Sequence, residues 1–274
     1  MTGSVTGHYG AAGIVARLLA AVPWSADLGV PLTAAQLYPF DQLHGRELLA
    51  TQEHAARLNP RAGTHLLDIG SGVGGPARYF ATTFGCRVTG IDLTPEFIAT
   101  SRELSELCGL DDLLTFIEAD AKNIPLGDKS VDHTYGFYVG MNLPDKSAAL
   151  RECARVVKPG GRVIWTEVTQ AAGDPHYPLP WARTGEDSYV ETSDRLVTRF
   201  AHAGFEILSI DDETGAHLEL AQQLKNSGRA PSPQQLQFNE VVLGADFAER
   251  RKNYIRSLGE GLIVSTLIEA RVPV

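Results

Sequence analysis

The chain has 274 residues, 43% hydrophobic and 21% charged, the balance of a globular protein with enough chain for one large core or a core with a cap. A formal net charge of −9 gives no basic footprint for nucleic acid or an acidic membrane surface. Three widely spaced cysteines, Cys86, Cys108 and Cys153, make neither a disulfide framework nor metal-ligand spacing, which suits a reducing compartment.

No basic segment followed by an apolar core opens the chain, and the apolar run 14–22, interrupted by Arg17, is too short for a bilayer; a cytoplasmic protein is expected. Residues 1–60 show helical spacing and no strand alternation. Ile14, Val15, Leu18, Leu19 and Val22 share one face that Pro23 ends, and after Pro31 and Pro39 a second helix is expected over 45–58, stopping at Asn59-Pro60.

From Gly63 strands and helices alternate. Strands are expected over 65–69, 87–91, 114–118, 131–138 and 162–168, and helices over 75–84 (with Pro76 in its first turn), 95–108 and 147–157. Farther on, 173–185 reads as a proline-bearing loop, 188–203 as a helix and 206–210 as a strand. Helices over 216–226 and 233–257 flank the turn-rich 228–233, and 261–272 is the last strand. This pattern predicts an α/β fold, Rossmann-like, with a mostly parallel seven-stranded sheet, helices on both faces and ligands outside the strands' carboxyl ends. The expected organisation is a helical N-terminal lid over 1–60 and a ligand-binding domain over 61–274, with cap insertions around 170–190 and 215–257. Whether the helical N-terminus is a lid or a homodimer contact stays open.

The most informative stretch is Leu-Leu-Asp-Ile-Gly-Ser-Gly-Val-Gly-Gly at 66–75, a buried-strand pattern that breaks into a loop where backbone approaches a ligand. Gly70, Gly72 and Gly75 satisfy the dinucleotide pattern G-x-G-x-x-G, but Asp68 would repel a pyrophosphate and attract an ammonium. Asp92 and Asp120 fall just past the next two strands. Two carboxylate oxygens at Asp92 suit a ribose diol, and Asp120-Ala121 suits a purine, the carboxylate accepting from an exocyclic amine and the N–H donating to a ring nitrogen. Amino acid, ribose and adenine together compose S-adenosyl-L-methionine.

On these residues the chain resembles the class I S-adenosylmethionine-dependent methyltransferases. The matching segments are LLDIGSGVGGPARYFA (66–81), VTGIDLTPEFI (88–98), EADAKNIPLGDKSVDHTYGF (118–137) and NLPDKSAALRECARVVKPGGRVIWTE (142–167). The resemblance implies methionine-end contacts from Asp68, Gly70, Ser71, Gly72 and Gly74, ribose binding by Asp92, packing of Leu93 beside the adenine, and adenine recognition by Asp120 and Ala121. Lys158-Pro159-Gly160-Gly161 is a structural turn.

Within that family the chain is similar to the small-molecule group of ubiquinone, sterol and sarcosine/dimethylglycine methyltransferases. LYPFDQLHG (37–45) looks like that group's cofactor-covering segment, and ADFAERRKNYIRSLGEGLIV (245–264) resembles its sarcosine-type members. The implied function is methyl transfer to a small molecule, a specialised metabolite or small amine, with no nucleic-acid or membrane partner and no metal.

Many relatives carry an acid and a His-His pair beyond the fourth strand. Here Tyr138 stands near the acid's place and Met141-Asn142 replace the histidines, which removes the obvious base and leans toward nitrogen or carbon acceptors over oxygen. The catalytic candidates are Tyr138, His44 and Tyr9, the last beside His8. Tyr177, Trp181 and Tyr189 are candidates for an aromatic acceptor wall or for loop anchors. Asp41 and Gln42 are expected to hydrogen-bond in the cap, and His133 is expected to be structural. Two alternatives remain at this point: an NAD(P)-dependent oxidoreductase, and a non-catalytic S-adenosylmethionine-binding protein.

Overall fold

The computed structural model describes residues 13–22, 24, 29–227 and 242–274. Its centre is a seven-stranded sheet: β1 (His65–Ile69), β2 (Arg87–Asp92), β3 (Leu114–Glu118), β4 (His133–Phe137), β5 (Arg162–Gln170), β6 (Glu206–Asp212) and β7 (Ile263–Arg271), in the order β3-β2-β1-β4-β5-β7-β6. Strands β1 to β5 are parallel, and β7 runs antiparallel between β5 and β6. β1 and β4 are near-continuous buried runs because helices cover both faces of the sheet, while the edge strand β6 alternates between half-buried and exposed positions.

One face packs against α3 (Glu47–Leu58), α4 (Gly75–Phe84) and α5 (Pro95–Leu107) through Leu58, Phe80, Ile98 and Tyr135; the other packs against α6 (Lys146–Val156) and α7 (Ser193–His202) through Leu150, Trp165 and Phe200. The remaining helices are α1 (Ile14–Ala21), α2 (Ala34–Asp41), α8 (Thr214–Asn226) and α9 (Phe247–Gly259). α1 and α2 pack with Val73, Phe97 and Leu243 in a separate cluster above the carboxyl ends of β1 and β2. Among the described residues, no helix is long and apolar enough to cross a membrane.

Four elements depart from the sequence pattern. α2 forms despite Pro39: the Gln36 side chain accepts from the Thr33 N–H at 3.0 Å, and burial of Leu37 and Phe40 outweighs the one missing donor in so short a helix. β4 stops at Phe137, because Tyr138 takes a left-handed backbone (φ 55°) that turns the chain out of the sheet. α7 begins at Ser193, not 188. The preceding residues are held extended instead, with Tyr189 N–H donating to the Met141 carbonyl at 2.9 Å and Gln170 N–H to that of Glu191 at 2.9 Å. The helix expected over 233–257 is described from 242 onward and is not continuous there: Gly244 takes a left-handed backbone (φ 98°), and α9 starts only at Phe247 and runs on to Gly259.

Candidate active site

Two cavities meet above the sheet. The first, of about 450 Å³, lies at the carboxyl ends of β1, β2, β3 and β4 and is lined by Asp68, Gly70, Ser71, Gly72, Asp92, Leu93, Asp120 and Ala121 among others. Eight of the nine sequence-expected cofactor positions thus reach one space.

Local geometry explains each. Gly70 and Gly72 have φ of 73° and 52°, and the loop they form is pinned when Gly72 N–H donates to Asp92 Oδ2 at 2.9 Å. Thr94 N–H donates to the other oxygen at 2.9 Å, so Asp92 is aimed by backbone from both sides; burial raises its pKa. Asp68 accepts from Tyr135 Oη at 3.0 Å and is 2% exposed; burial pushes its carboxyl up to about 8, outweighing that hydrogen bond, and nearby Asp92 pushes it the same way.

Gly74 is the position that does not line the cavity. It caps α4 with φ 82°, and an added Cβ would lie 2.8 Å from the Phe116 ring, so its glycine serves a turn and core packing. Gly75, third of the dinucleotide-like glycines, makes room for the C-terminal end of α2: a Cβ there would run into the Asp41 carbonyl and the Gln42 amide.

The second cavity, about 330 Å³, is walled by the segment 42–49, by Met141, Pro180 and Trp181, and by α8 and α9. Its lining is mostly apolar. Leu43, His44, Tyr138 and Leu243 line both cavities and form the junction between them.

His44 and Tyr138 stand with rings parallel and centroids 6.2 Å apart. Tyr138 Oη lies 2.7 Å from both His217 Nε2 and Ser265 Oγ. Burial lowers the His44 pKa to about 4 and that of His217 to about 4, so both imidazoles are neutral near pH 7. Burial likewise lifts the Tyr138 phenol well above its ordinary value, keeping it protonated.

Below these groups Glu213 Oε1 bonds His54 Nε2 at 2.9 Å and lies 3.5 Å from Arg46 Nη1. Burial alone would raise the Glu213 carboxyl; its hydrogen bond with His54, and the nearby charges, bring it below the ordinary value.

Other expectations divide. Trp181 lines the second cavity and Tyr189 the first, while Tyr177 packs with Val168 and Leu179 in a core cluster and lines neither. Asn142 lines the first cavity. His133 Nδ1 accepts from Arg162 N–H at 2.9 Å, a structural bond. Asp41 forms a buried ion pair with Arg78 at 2.9 Å, and Gln42 Nε2 donates to it at 2.8 Å. His8 and Tyr9 lie outside the described residues.

His217, Tyr254, Ser265, Thr51 and the Arg46–Glu213–His54 cluster went unread in the sequence. One signal was available for His217: His217, Leu220, Ala221 and Leu224 are one helical stripe, and that stripe lines the second cavity.

In comparisons with known proteins, residues 67–165 match the family model described as a methyltransferase domain. An O-methyltransferase of Pyrenophora dematioidea is 32% identical over 164 residues, 59% of this chain and 61% of that protein. The sarcosine/dimethylglycine N-methyltransferase of Halorhodospira halochloris is 32% identical over 123 residues, 44% of each chain. The chain therefore spans about half the length of the curated relatives it matches. Among solved structures, the [4+2]-cyclase SpnF aligns with a TM-score of 0.65 at 22% identity, covering 89% of this chain and 98% of that one. That likeness establishes the fold; the chemistry has to come from the site.

Proposed function

We propose, on the premise that this chain is a class I S-adenosylmethionine-dependent methyltransferase, that it transfers the cofactor's methyl group to a small, largely apolar acceptor held in the second cavity. One observation carries the reading: His44 and Tyr138 belong to the walls of both cavities, so a cofactor in one and an acceptor in the other meet beside them.

The first cavity suits S-adenosyl-L-methionine by its donor set. Among the described residues, Asp68 is buried with only a tyrosine hydroxyl as partner, which favours a ligand ammonium, and the buried Ser71 hydroxyl has no protein partner. Gly70 and Gly72 form the cradle at the methionine end, Asp92 faces the ribose, and Leu93, Asp120 and Ala121 the adenine. A nicotinamide dinucleotide is disfavoured by the same acid and by Gly75, whose missing side chain admits the lid.

When bound, the cofactor supplies a methyl carbon activated by its sulfonium. The protein's part is to align the acceptor behind that carbon and exclude water. Residues 29–46 act as the lid over the junction, docked through Asp41 on Arg78, while α3 belongs to the layer packed on the sheet. The acceptor cavity is at the small end of the roughly 300–1,000 Å³ range typical of ligand sites, which supports a metabolite over a protein or nucleic acid. The three free cysteines, two of them buried, support a cytoplasmic setting.

The lean toward nitrogen or carbon acceptors rested on the absence of a base beside Tyr138; two imidazoles approach it in space from 94 and 79 residues away in the chain. Thermal-shift titration tests the cofactor: S-adenosylhomocysteine is expected to raise the melting temperature, and stabilisation by NADH alone would refute the assignment. Methyl-labelled cofactor incubated with a metabolite extract then identifies the acceptor; no label in any component would favour a binding protein without methyl transfer.

A further inference from the structure

We propose that Arg251 is the recognition point for a carboxylate on the acceptor, so that the second cavity takes a small molecule with an apolar body and one planar anionic end. This rests on the function proposed above and names its substrate class.

The second cavity meets α9 along one helical face, which carries Phe247, Arg251, Tyr254 and Ile255. A face that only packs carries apolar residues. Phe247 does pack, in the cluster with α1 and α2, and Tyr254 sets its ring against those of Trp181 and His217 with centroids 5.9 Å and 5.7 Å away. Arg251 lies one turn from each, half-buried, and is the only full charge on that face.

That charge is left without a contact of its own. Among the described residues Arg251 makes no hydrogen bond and no ion pair. The arginines around it do: Arg250 pairs with Asp246, Arg256 with Glu260, and Arg46, the other cation on the cavity wall, with Glu53 and Glu213. Glu47, the one acid among the described lining residues, acts on Arg251 only through space. Partial burial strips water from a guanidinium, and its unused N–H donors are a cost that a bound anion offsets.

The chain carries a formal net charge of −9, so this guanidinium is not part of a general basic surface. Among the described residues it is the only cation on the wall without a paired acid, because burial lowers the pKa of His44 and of His217 to about 4 and leaves both rings neutral. One guanidinium matches one carboxylate, whose two oxygens accept from its planar fork. A phosphate, with its larger charge, calls for more cations than this wall offers. Leu48, Leu220, Ala221, Leu224 and Ile255 line the same space and suit the apolar body.

Calorimetry on protein saturated with S-adenosylhomocysteine tests the assignment with probes that share one apolar body: hydrocinnamate and the matching amide, amine and phosphate. The carboxylate should bind the wild-type protein about tenfold to a hundredfold more tightly than the amide, the range of a charged hydrogen bond. Arg251→Gln should erase that preference and leave the amide's affinity unchanged. Arg251→Lys should restore part of it, since an ammonium keeps the charge without the fork. Lys252→Gln removes the same charge from an exposed neighbour outside the cavity and should leave the preference intact. Equal losses in the two glutamine variants would reduce the effect to long-range charge and overturn the proposal. No carboxylate preference in the wild type, or tighter binding of the amine or the phosphate, overturns it as well. The natural acceptor gives a separate reading. The labelled product should be held by an anion exchanger at neutral pH, and Arg251→Gln should raise the acceptor's KM more than it lowers kcat; a neutral or cationic product refutes the assignment. If no label moves, the proposed function fails while the probe affinities still judge Arg251.

Discussion

The cavity proposed for the cofactor and the one proposed for the acceptor share a wall but are built in opposite ways. The first is made by short loops at the ends of neighbouring parallel strands, where backbone N–H groups of Gly72 and Thr94 aim the Asp92 carboxylate. The second is made by helices and loops drawn from 42–49, 138–141, 180–181, 217–224 and 243–255, segments far apart in the chain. A cradle set by backbone geometry suits one constant ligand, whereas side chains on helix faces can be exchanged without altering the sheet. The contrast teaches where generality and specificity reside on this fold.

Substitutions can break that division, and the largest effect is expected where the halves are tied together. Arg78→Met leaves the Asp41 carboxylate buried without its partner and should cost about 3–5 kcal/mol in urea denaturation. Both binding activities should fall together; a variant of wild-type stability would show that the ion pair does not hold the lid. His44→Ala should lower kcat by about 10²–10⁴ while S-adenosylhomocysteine affinity changes far less, measured by single-turnover transfer beside calorimetry.

Asp92→Ala confines damage to the cofactor side. A loss of about 1–3 kcal/mol in cofactor binding is expected with the acceptor's binding unaltered, and an unchanged cofactor Kd would remove the ribose assignment. Gly45→Ala does the reverse, because its Cβ would run into His217 Cε1 and displace the ring from Tyr138. About a tenfold drop in kcat/KM for the acceptor should appear with cofactor affinity intact.

The smallest effect is a pH dependence. With its pKa near 8, Asp68 is mostly protonated at pH 7 in the free protein and must release that proton to pair with an ammonium. Cofactor affinity should therefore rise about fivefold from pH 7 to 8 and level off above, and calorimetry in two buffers should detect proton release. Proton uptake would reverse the sign and place the ammonium elsewhere.

Much of the cofactor side was legible because its residues are close in sequence. Strand β1, the glycine loop and α4 occupy adjacent positions, and β1, β3 and α4 lie at the expected bounds. The place of Gly74 at the cap of α4, against Phe116, was not legible because a pattern of glycines does not say which one turns the chain, which approaches a cavity and which packs. Pro39 hid α2, since a proline reads as a stop unless burial of Leu37 and Phe40 is known. His44 was a candidate in the sequence, but its stacking beside Tyr138 and the approach of His217 were not legible, because the two rings reach Tyr138 from the loop before α3 and from α8.

The sequence by itself determined the α/β alternation, the sheet's ligand edge and the three acids that face it, because periodicity and turn chemistry act over a few residues. Only the tertiary structure decided the second cavity, its junction with the first at His44 and Tyr138, and the buried hydrogen bonds that link Arg78, Asp41, Gln42 and Thr51. Those depend on side chains far apart in the chain being buried together, where each donor must find an acceptor and each charge a partner.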